Sequence, residues 1–178
     1  MNAISKGLLG AALLAAFGAS HASPIYYTVN GGATQQLDVT PITDTFTGTS
    51  TVTSGFCNLS CTLSATGTLS DNLSGNTTLS VSAASTSGSF ACNTVNLSGF
   101  PWVGSVPHSS IPSPLAPVTF TLSGVNVSSI CGTCSNQIDV TFDPASGGSF
   151  VFNGPITPNG SCAVVGNLTS TNYYVATH

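Results

Sequence analysis

Cysteine is the residue type with the clearest chemical potential in this 178-residue chain. Cys57 and Cys61 stand in "CNLSC", and Cys131 and Cys134 stand in "CGTC". Four thiolates at such spacings could bind one zinc ion, and a Cys-x-x-C pair could be a redox centre. A redox centre needs a helix start to lower the pKa of its thiol, and the sequence predicts no helix here.

Structural disulfides are the favoured interpretation, because all the cysteines follow a predicted export signal and their number is even. Six cysteines allow fifteen pairings, and the sequence does not select among them. The disulfide candidates are Cys57, Cys61, Cys92, Cys131, Cys134 and Cys162.

The groups that acid–base or nucleophilic catalysis requires are scarce. Beyond the signal the only histidines are His108, expected to be an exposed loop residue, and His178, expected to fray. Ser149 follows two glycines but lacks the glycine that would complete a nucleophile elbow. Asp139 and Asp143 are expected on one strand face, well separated, as its polar side. We therefore predict no catalytic, cofactor-binding or metal-binding residue, and a protein that is not an enzyme.

The charge balance excludes several classes of partner. The chain has one Lys or Arg, which is Lys6, and five acidic residues. Nucleic acids and anionic lipids are bound by cationic side chains, so neither is an expected partner. A typical soluble surface is about 25–35% charged, whereas this one must consist of Ser, Thr, Asn and Gly. Such a surface repels its neighbours weakly, which favours self-association or residence at an interface.

Residues 1–22 read as a secretory signal peptide. Lys6 precedes a short apolar run at 8–17, and the small-x-small sequence at 20–22 predicts cleavage before Ser23. That run is too short for a stable membrane span, and no later segment is long and apolar enough to be one. The expected location is outside the cell, either free or at the cell surface.

The elements expected to hold these residues are β-strands. From Leu59 to Leu69 apolar and polar residues alternate, and the same period of two recurs along the chain. About nine or ten short antiparallel strands are predicted. They form a disulfide-stapled, single-domain β-sandwich over residues 23–178, with closure toward a barrel as a variant. The aromatic strands "PIYYTV" and "NYYVAT" are expected to pair, which would bring the termini together.

A proline-rich segment at 98–117 interrupts this pattern. A connection of this length is uncommon and is usually functional or a linker. Three interpretations are open: an exposed binding loop, an interdomain linker and a packed crossover. Three cysteines lie on each side of it, so full pairing needs a bridge between the halves, which favours one domain. Phe100, Pro101 and Trp102 are the candidate apolar contact. The alternative is that Trp102 plugs one end of the fold and the prolines stiffen the crossover.

Three stretches resemble the PraB family of exported bacterial activators of alkane oxidation. They are "CTLSATGTL" at 61–69, "FACNTVNLSGFPWVGSV" at 90–106 and "FNGPITPNGSCAVVGNLT" at 152–169. Cys61, Cys92, Cys162 and one cysteine of "CGTC" match the family by position. Cys57 and the second cysteine of "CGTC" look like additions that form one extra bridge.

The resemblance implies a secreted accessory protein without catalytic residues, associated with hydrocarbon dispersal and uptake or with surface adhesion in biofilms. Its expected partner is a hydrophobic interface or a component of the cell surface or matrix. Two alternatives stay open. One is a structural subunit of an extracellular assembly, pilin-like or matrix-forming. The other is a carbohydrate-binding module that uses Tyr26, Tyr27, Tyr173 and Tyr174.

Overall fold

The computed structural model describes residues 23–156 and 162–178, so the predicted signal peptide lies outside the described residues. The described chain contains strands and three one-turn 3₁₀ helices, and no α-helix. The strands are β1 (Tyr26–Val29), β2 (Gln35–Gln36), β3 (Ile42–Ser54), β4 (Cys57–Ser70), β5 (Asn76–Ser87), β6 (Asn96–Ser98), β7 (Trp102–Pro107), β8 (Val118–Ser129), β9 (Gly132–Asp143), β10 (Ser149–Pro155), β11 (Cys162–Ser170) and β12 (Tyr174–Thr177).

Eight of these strands close into an antiparallel barrel. Their order is β8-β7-β5-β4-β3-β11-β10-β9, and β9 pairs back with β8. The all-β, disulfide-stapled prediction is therefore confirmed, in its barrel form rather than as an open sandwich. Several strands are longer than the short ones predicted, since β3 and β4 have 13 and 14 residues. Closure gives each of these eight strands a partner on both sides, although β7 pairs with β8 only at Val103.

The alternation in sequence sorts side chains to the two faces of the barrel wall. On β3 every outward position from Thr43 to Thr53 is threonine, while Ile42 and Phe46 point inward and are buried. Thr43 and Thr45 hydrogen-bond to threonines opposite them on β4, at 2.9 and 2.8 Å. Hydroxyl groups thus coat a wall that has almost no charge, and apolar side chains fill the inside.

Two changes in the apolar alternation of the sequence have physical causes in the structure. Between Leu122 and Val125 the β8–β9 register shifts by one residue, which is a β-bulge. Gly124 has φ +78° there, a conformation that favours glycine. After Phe90 the parity changes because the 3₁₀ turn Cys92–Thr94 interrupts the chain.

The chain termini close one end of the barrel, which we call the terminal end. β12, β1 and β2 form a separate three-stranded sheet, so the predicted pairing of the two aromatic strands is confirmed. Tyr27 and Tyr174 point inward from this sheet and are buried, together with Ile25 and Leu37. The opposite end carries the β3–β4, β5–β6 and β8–β9 connections.

The segment 98–117, predicted as a crossover, contains a strand of the barrel. β7 pairs with β5 over six residues and with β8 at Val103, so the strand is part of the wall. The prolines hid it: Pro101 lies just before β7 and Pro107 is its last residue, positions at which proline does not interrupt a ladder. Only the part after Pro107 is a connection, and it begins with the 3₁₀ turn His108–Ser110.

Candidate functional site

All three disulfides lie at the end of the barrel opposite the termini, which we call the stapled end. Cys57 pairs with Cys131, Cys61 with Cys92, and Cys134 with Cys162. The first bridge joins the start of β4 to the β8–β9 connection, so it is the expected bridge between the halves of the chain. Cys57 pairs with the first cysteine of "CGTC", not with the second as the resemblance suggested.

Three apolar side chains protrude from the connections at the stapled end. Phe56 is fully exposed, and Phe90 and Ile130 are 86% and 69% exposed. We call these three residues the apolar rim. They come from the β3–β4, β5–β6 and β8–β9 connections, which are far apart in sequence. Exposed large apolar side chains that gather at one place mark interaction surfaces, whereas scattered ones need no explanation.

Each rim residue is anchored by a nearby cysteine. Phe56 and Ile130 immediately precede the two cysteines of one disulfide, whose Cα atoms are 5.5 Å apart. Phe90 lies two residues before Cys92, which is fully buried against Leu59. The tight turn before Cys57 is made possible by Gly55 at φ +58°. The covalent bridges therefore fix the loops that hold three apolar side chains in water.

Sequence reasoning missed the rim, although a signal was present. The stretches "SGFC", "SFAC" and "SSIC" each place a large apolar residue between a serine or glycine and a cysteine. Serine and glycine mark the turn, and a disulfide immediately afterwards leaves the apolar residue at the tip of a constrained loop.

The structure does not support Trp102 as an exposed contact. The indole is only 4% exposed, its Nε1–H donates to the Ser98 carbonyl oxygen at 2.8 Å, and its ring stacks on Phe100 at 4.5 Å. Phe100 is half-buried and Pro101 is exposed. Trp102 is the first residue of β7, whose alternation points it into the barrel. Its position corresponds to the packed-anchor alternative.

Apolar side chains fill most of the barrel interior in the described structure. Three apolar cavities inside it measure about 30 Å³ each. These cavities are small for a long alkane chain, so the outer surface of the barrel is where contact with one is sought.

His108 is buried, contrary to the expected exposed loop position. Its Nδ1 lies 2.9 Å from Asp71 Oδ1, which also accepts the Thr77 hydroxyl at 2.6 Å. Its Nε2 lies 3.1 Å from the carbonyl oxygen of Ser23. The loop that follows Pro107 folds inward over the terminal end, and this is why a histidine among prolines is covered.

His178 was expected to fray, but hydrogen bonds hold it in place. Its Nδ1 lies 3.1 Å from the Pro112 carbonyl oxygen, and its Nε2 lies 2.9 Å from the Ser23 carbonyl oxygen. The rings of His108 and His178 meet edge to face, with centroids 5.3 Å apart. Segments that are more than 60 residues apart in sequence thus converge on the main chain of Ser23.

The remaining aspartates serve as hydrogen-bond acceptors. Asp139 accepts the Thr121 hydroxyl at 2.7 Å on the barrel wall, and Asp143 caps the following 3₁₀ turn by accepting Ala145 N–H at 2.9 Å. Both are therefore the polar positions that the sequence predicted on β9. No three or more His, Cys, Asp or Glu side chains converge as a metal site within residues 23–156 and 162–178.

Asp44 ties β3 to the C-terminal segment. Burial acts to raise the pKa of its carboxyl, but hydrogen bonds from Ser170, Tyr174, Asn172 and the Thr45 N–H outweigh it and hold the pKa below its usual value. Burial, together with the Asp44 carboxylate, raises the pKa of the Tyr174 hydroxyl, so it stays protonated and donates at 2.6 Å.

We expect Asp44→Asn to destabilise the barrel at neutral pH. A carboxyl with a lowered folded-state pKa stabilises the protein above its unfolded pKa of about 3.9 and ceases to do so as the pH falls through the folded-state value. The difference in unfolding free energy between native protein and variant should therefore be full above about pH 5 and disappear toward pH 2. Urea unfolding at several pH values measures it. Asp139→Asn is the matched control, and an equal effect of both substitutions would contradict the role of Asp44.

The tyrosines proposed for carbohydrate binding divide into two pairs. Tyr26 and Tyr173 are exposed, whereas Tyr27 and Tyr174 are buried in the core. Only two of the four rings can therefore contact a sugar. Val175, which is also exposed, lies on the same outer face of the terminal sheet.

Fold and surface together define a class: a small, nearly uncharged, disulfide-stapled β-barrel with apolar side chains on its stapled end. No helix in the described part is long and apolar enough to cross a membrane. The chain belongs to the alkane oxidation protein activator PraA/PraB-like family, whose model matches residues 1–177. No curated protein and no solved structure matches it.

Proposed function

We propose that this protein is a non-enzymatic, exported accessory protein that adsorbs to an apolar liquid phase such as an alkane droplet through its apolar rim. The observation that supports this proposal is the presence of Phe56, Phe90 and Ile130 on three disulfide-anchored loops at one end of a nearly uncharged barrel. Family membership supplies the link to alkane oxidation. Disulfides suit an exported protein, as does the predicted signal peptide.

A liquid hydrocarbon fits the rim better than a protein partner does. Phe56 and Phe90 are almost fully exposed and Ile130 is largely exposed, so these side chains project into solvent instead of lining a preformed pocket. A liquid adapts its shape to whatever protrudes into it. Transfer of each side chain out of water contributes about 1.5–3 kcal/mol, so three together contribute about 4.5–9 kcal/mol.

The absence of charge around the apolar rim also favours adsorption to a liquid hydrocarbon. A charged group next to the rim would have to be desolvated at an oil surface, at a cost of several kcal/mol. The loops of the rim contain no Lys, Arg, Asp or Glu. The hydroxyl-coated wall of the barrel keeps the rest of the molecule hydrated, so the protein has a defined orientation at the interface. In this way it would disperse the oil phase for cells that take up alkane.

The test is adsorption to hexadecane droplets in buffer. We expect the combined variant Phe56→Ser/Phe90→Ser/Ile130→Ser to lower the partition coefficient by at least a hundredfold, since each tenfold corresponds to about 1.4 kcal/mol. It should also lower the interfacial tension of hexadecane less than the native protein does. Circular dichroism and thermal unfolding confirm that the variant is folded.

The matched control is Val39→Ser/Val165→Ser/Tyr173→Ser, which removes three exposed apolar side chains away from the rim. It should adsorb like the native protein. Equal losses in both variants would mean that overall surface composition, not the rim, governs adsorption. A rim variant that adsorbs normally but loses an oligomeric state seen by sedimentation would overturn the proposal in favour of self-assembly.

A further inference from the structure

We propose that His108, His178 and the main chain of Ser23 form a binding site for a late first-row transition metal, with Cu²⁺ as the preferred ion. The two imidazole Nε2 atoms lie 3.1 and 2.9 Å from the same carbonyl oxygen. The three atoms therefore lie together at the terminal end of the barrel, opposite the apolar rim. Neither the family description nor the proposed adsorption involves this site.

The distances fit ligands of one metal ion. Ligands at about 2.0–2.1 Å from a metal and at right angles to one another lie about 2.9 Å apart. The observed separations of each Nε2 from the Ser23 oxygen are close to that value. A metal ion on the open side of these three atoms would contact all of them with small movements of the rings.

The other nitrogen of each ring is held as it is in metal sites. His108 Nδ1 faces the Asp71 carboxylate at 2.9 Å, and His178 Nδ1 faces the Pro112 carbonyl oxygen at 3.1 Å. Histidine ligands of metals characteristically donate this second N–H to a carboxylate or a backbone carbonyl, which fixes the ring and makes the free nitrogen more basic. Both partners are acceptors, so each ring would donate N–H from Nδ1 while its Nε2 binds the metal ion.

Without a metal ion, N–H groups on Nε2 can donate to the Ser23 carbonyl oxygen at the observed distances. Metal binding would replace these hydrogen bonds with coordinate bonds at the same three atoms. Ser23 is exposed and His178 is half-buried, so solvent reaches the cluster.

The donor set selects the class of metal. Imidazole nitrogen with carbonyl oxygen favours Cu²⁺, Ni²⁺ and Zn²⁺, and Cu²⁺ binds most tightly in this series. When the chain begins at Ser23, as the sequence predicts, its α-amino nitrogen belongs to the same residue and adds a third nitrogen donor. Pro24 follows and has no amide N–H, so copper cannot bind there through a deprotonated amide, as it does in many N-terminal peptides. Tight binding therefore requires the histidine rings.

The experiment is a Cu²⁺ titration of metal-free protein that begins at Ser23, followed by isothermal calorimetry and electron paramagnetic resonance. We expect one ion per chain, a Kd below micromolar, and nuclear modulation from two imidazoles. His178→Ala should weaken binding at least tenfold and leave the modulation of one imidazole. This substitution lies at the edge of the fold, so it should not disturb the barrel. His108→Gln should remove the other imidazole signal.

Two controls make the outcome decisive. Ser113→Ala removes a hydroxyl that donates to the His178 carbonyl oxygen at 3.0 Å but no ligand, and it should bind Cu²⁺ like the native protein. A synthetic peptide of residues 23–32 should bind much more weakly. The inference is overturned if the protein binds no better than this peptide, or if His178→Ala and His108→Gln leave affinity and spectrum unchanged. Neither result affects the droplet experiment, since the rim variant retains both histidines.

Discussion

Trp102→Ala is expected to lower the free energy of unfolding by about 3–5 kcal/mol, the usual cost of truncating a buried aromatic side chain to alanine. The indole is buried at the start of β7, where it faces Val81 across the ladder and stacks on Phe100. Its removal leaves a cavity and takes away the hydrogen bond to the Ser98 carbonyl oxygen. In a domain of this size the loss corresponds to a decrease in Tm of about 10 °C or more.

Urea unfolding and differential scanning calorimetry measure the loss, and droplet adsorption is measured beside them. The folded Trp102→Ala protein should adsorb to hexadecane like the native protein, because it keeps the apolar rim. Trp102→Phe is the matched control, which keeps most of the ring volume and should cost less. A stable Trp102→Ala variant that no longer adsorbs would restore the exposed-contact interpretation and contradict the buried position.

The sequence predicted the fold class well because two local signals were strong. Alternation with a period of two sorts side chains to the faces of a strand, and this rule depends only on backbone geometry. The even cysteine number in an exported chain predicted three bridges. Closure into a barrel was harder to predict from the sequence. It depends on the β8–β9 pairing and on strand stagger, which the alternation of side chains does not encode.

Burial in the 98–117 segment could not be read from composition. An uncharged stretch of prolines, serines and apolar residues suits an exposed loop and an inward-folded segment equally well. Trp102, Ile111 and His108 are all buried there, because β7 enters the wall and the following turn covers the terminal end. Those outcomes depend on contacts with distant strands.

The two candidate sites differ in how much the sequence reveals. The apolar rim has a local signature, a large apolar residue one or two positions before a cysteine, which occurs at Phe56, Phe90 and Ile130. The histidine cluster has none. His108 and Asp71 are 37 residues apart and meet through the β5–β7 pairing, whereas His178 and Ser23 are 155 apart and meet through the pairing of β1 with β12. Two scattered histidines beyond the predicted signal peptide provided no reason to expect a metal site.

The paired variant Cys57→Ala/Cys131→Ala should have the largest effect of any disulfide removal, on stability and on adsorption together. The bridge spans 74 residues, against 31 and 28 for the other two. The chain-entropy model assigns about 4.5 kcal/mol to a loop of that length and less to the shorter ones. Denaturant unfolding of oxidised proteins measures this loss.

The same bridge joins the loops of Phe56 and Ile130, so its removal also acts on the apolar rim. Once the loops are independent, ordering both at an oil surface costs conformational entropy that the bridge had already removed. We therefore expect folded Cys57→Ala/Cys131→Ala protein to adsorb to hexadecane at least several-fold less, under conditions where the barrel strands persist. Cys134→Ala/Cys162→Ala is the matched control, because it lowers stability without separating these two side chains. Equal adsorption by both variants would show that the rim residues act independently and that the bridge serves stability alone. Weaker adsorption by the first variant would show that the disulfide preorganises the contact, which explains why it lies next to two exposed apolar side chains.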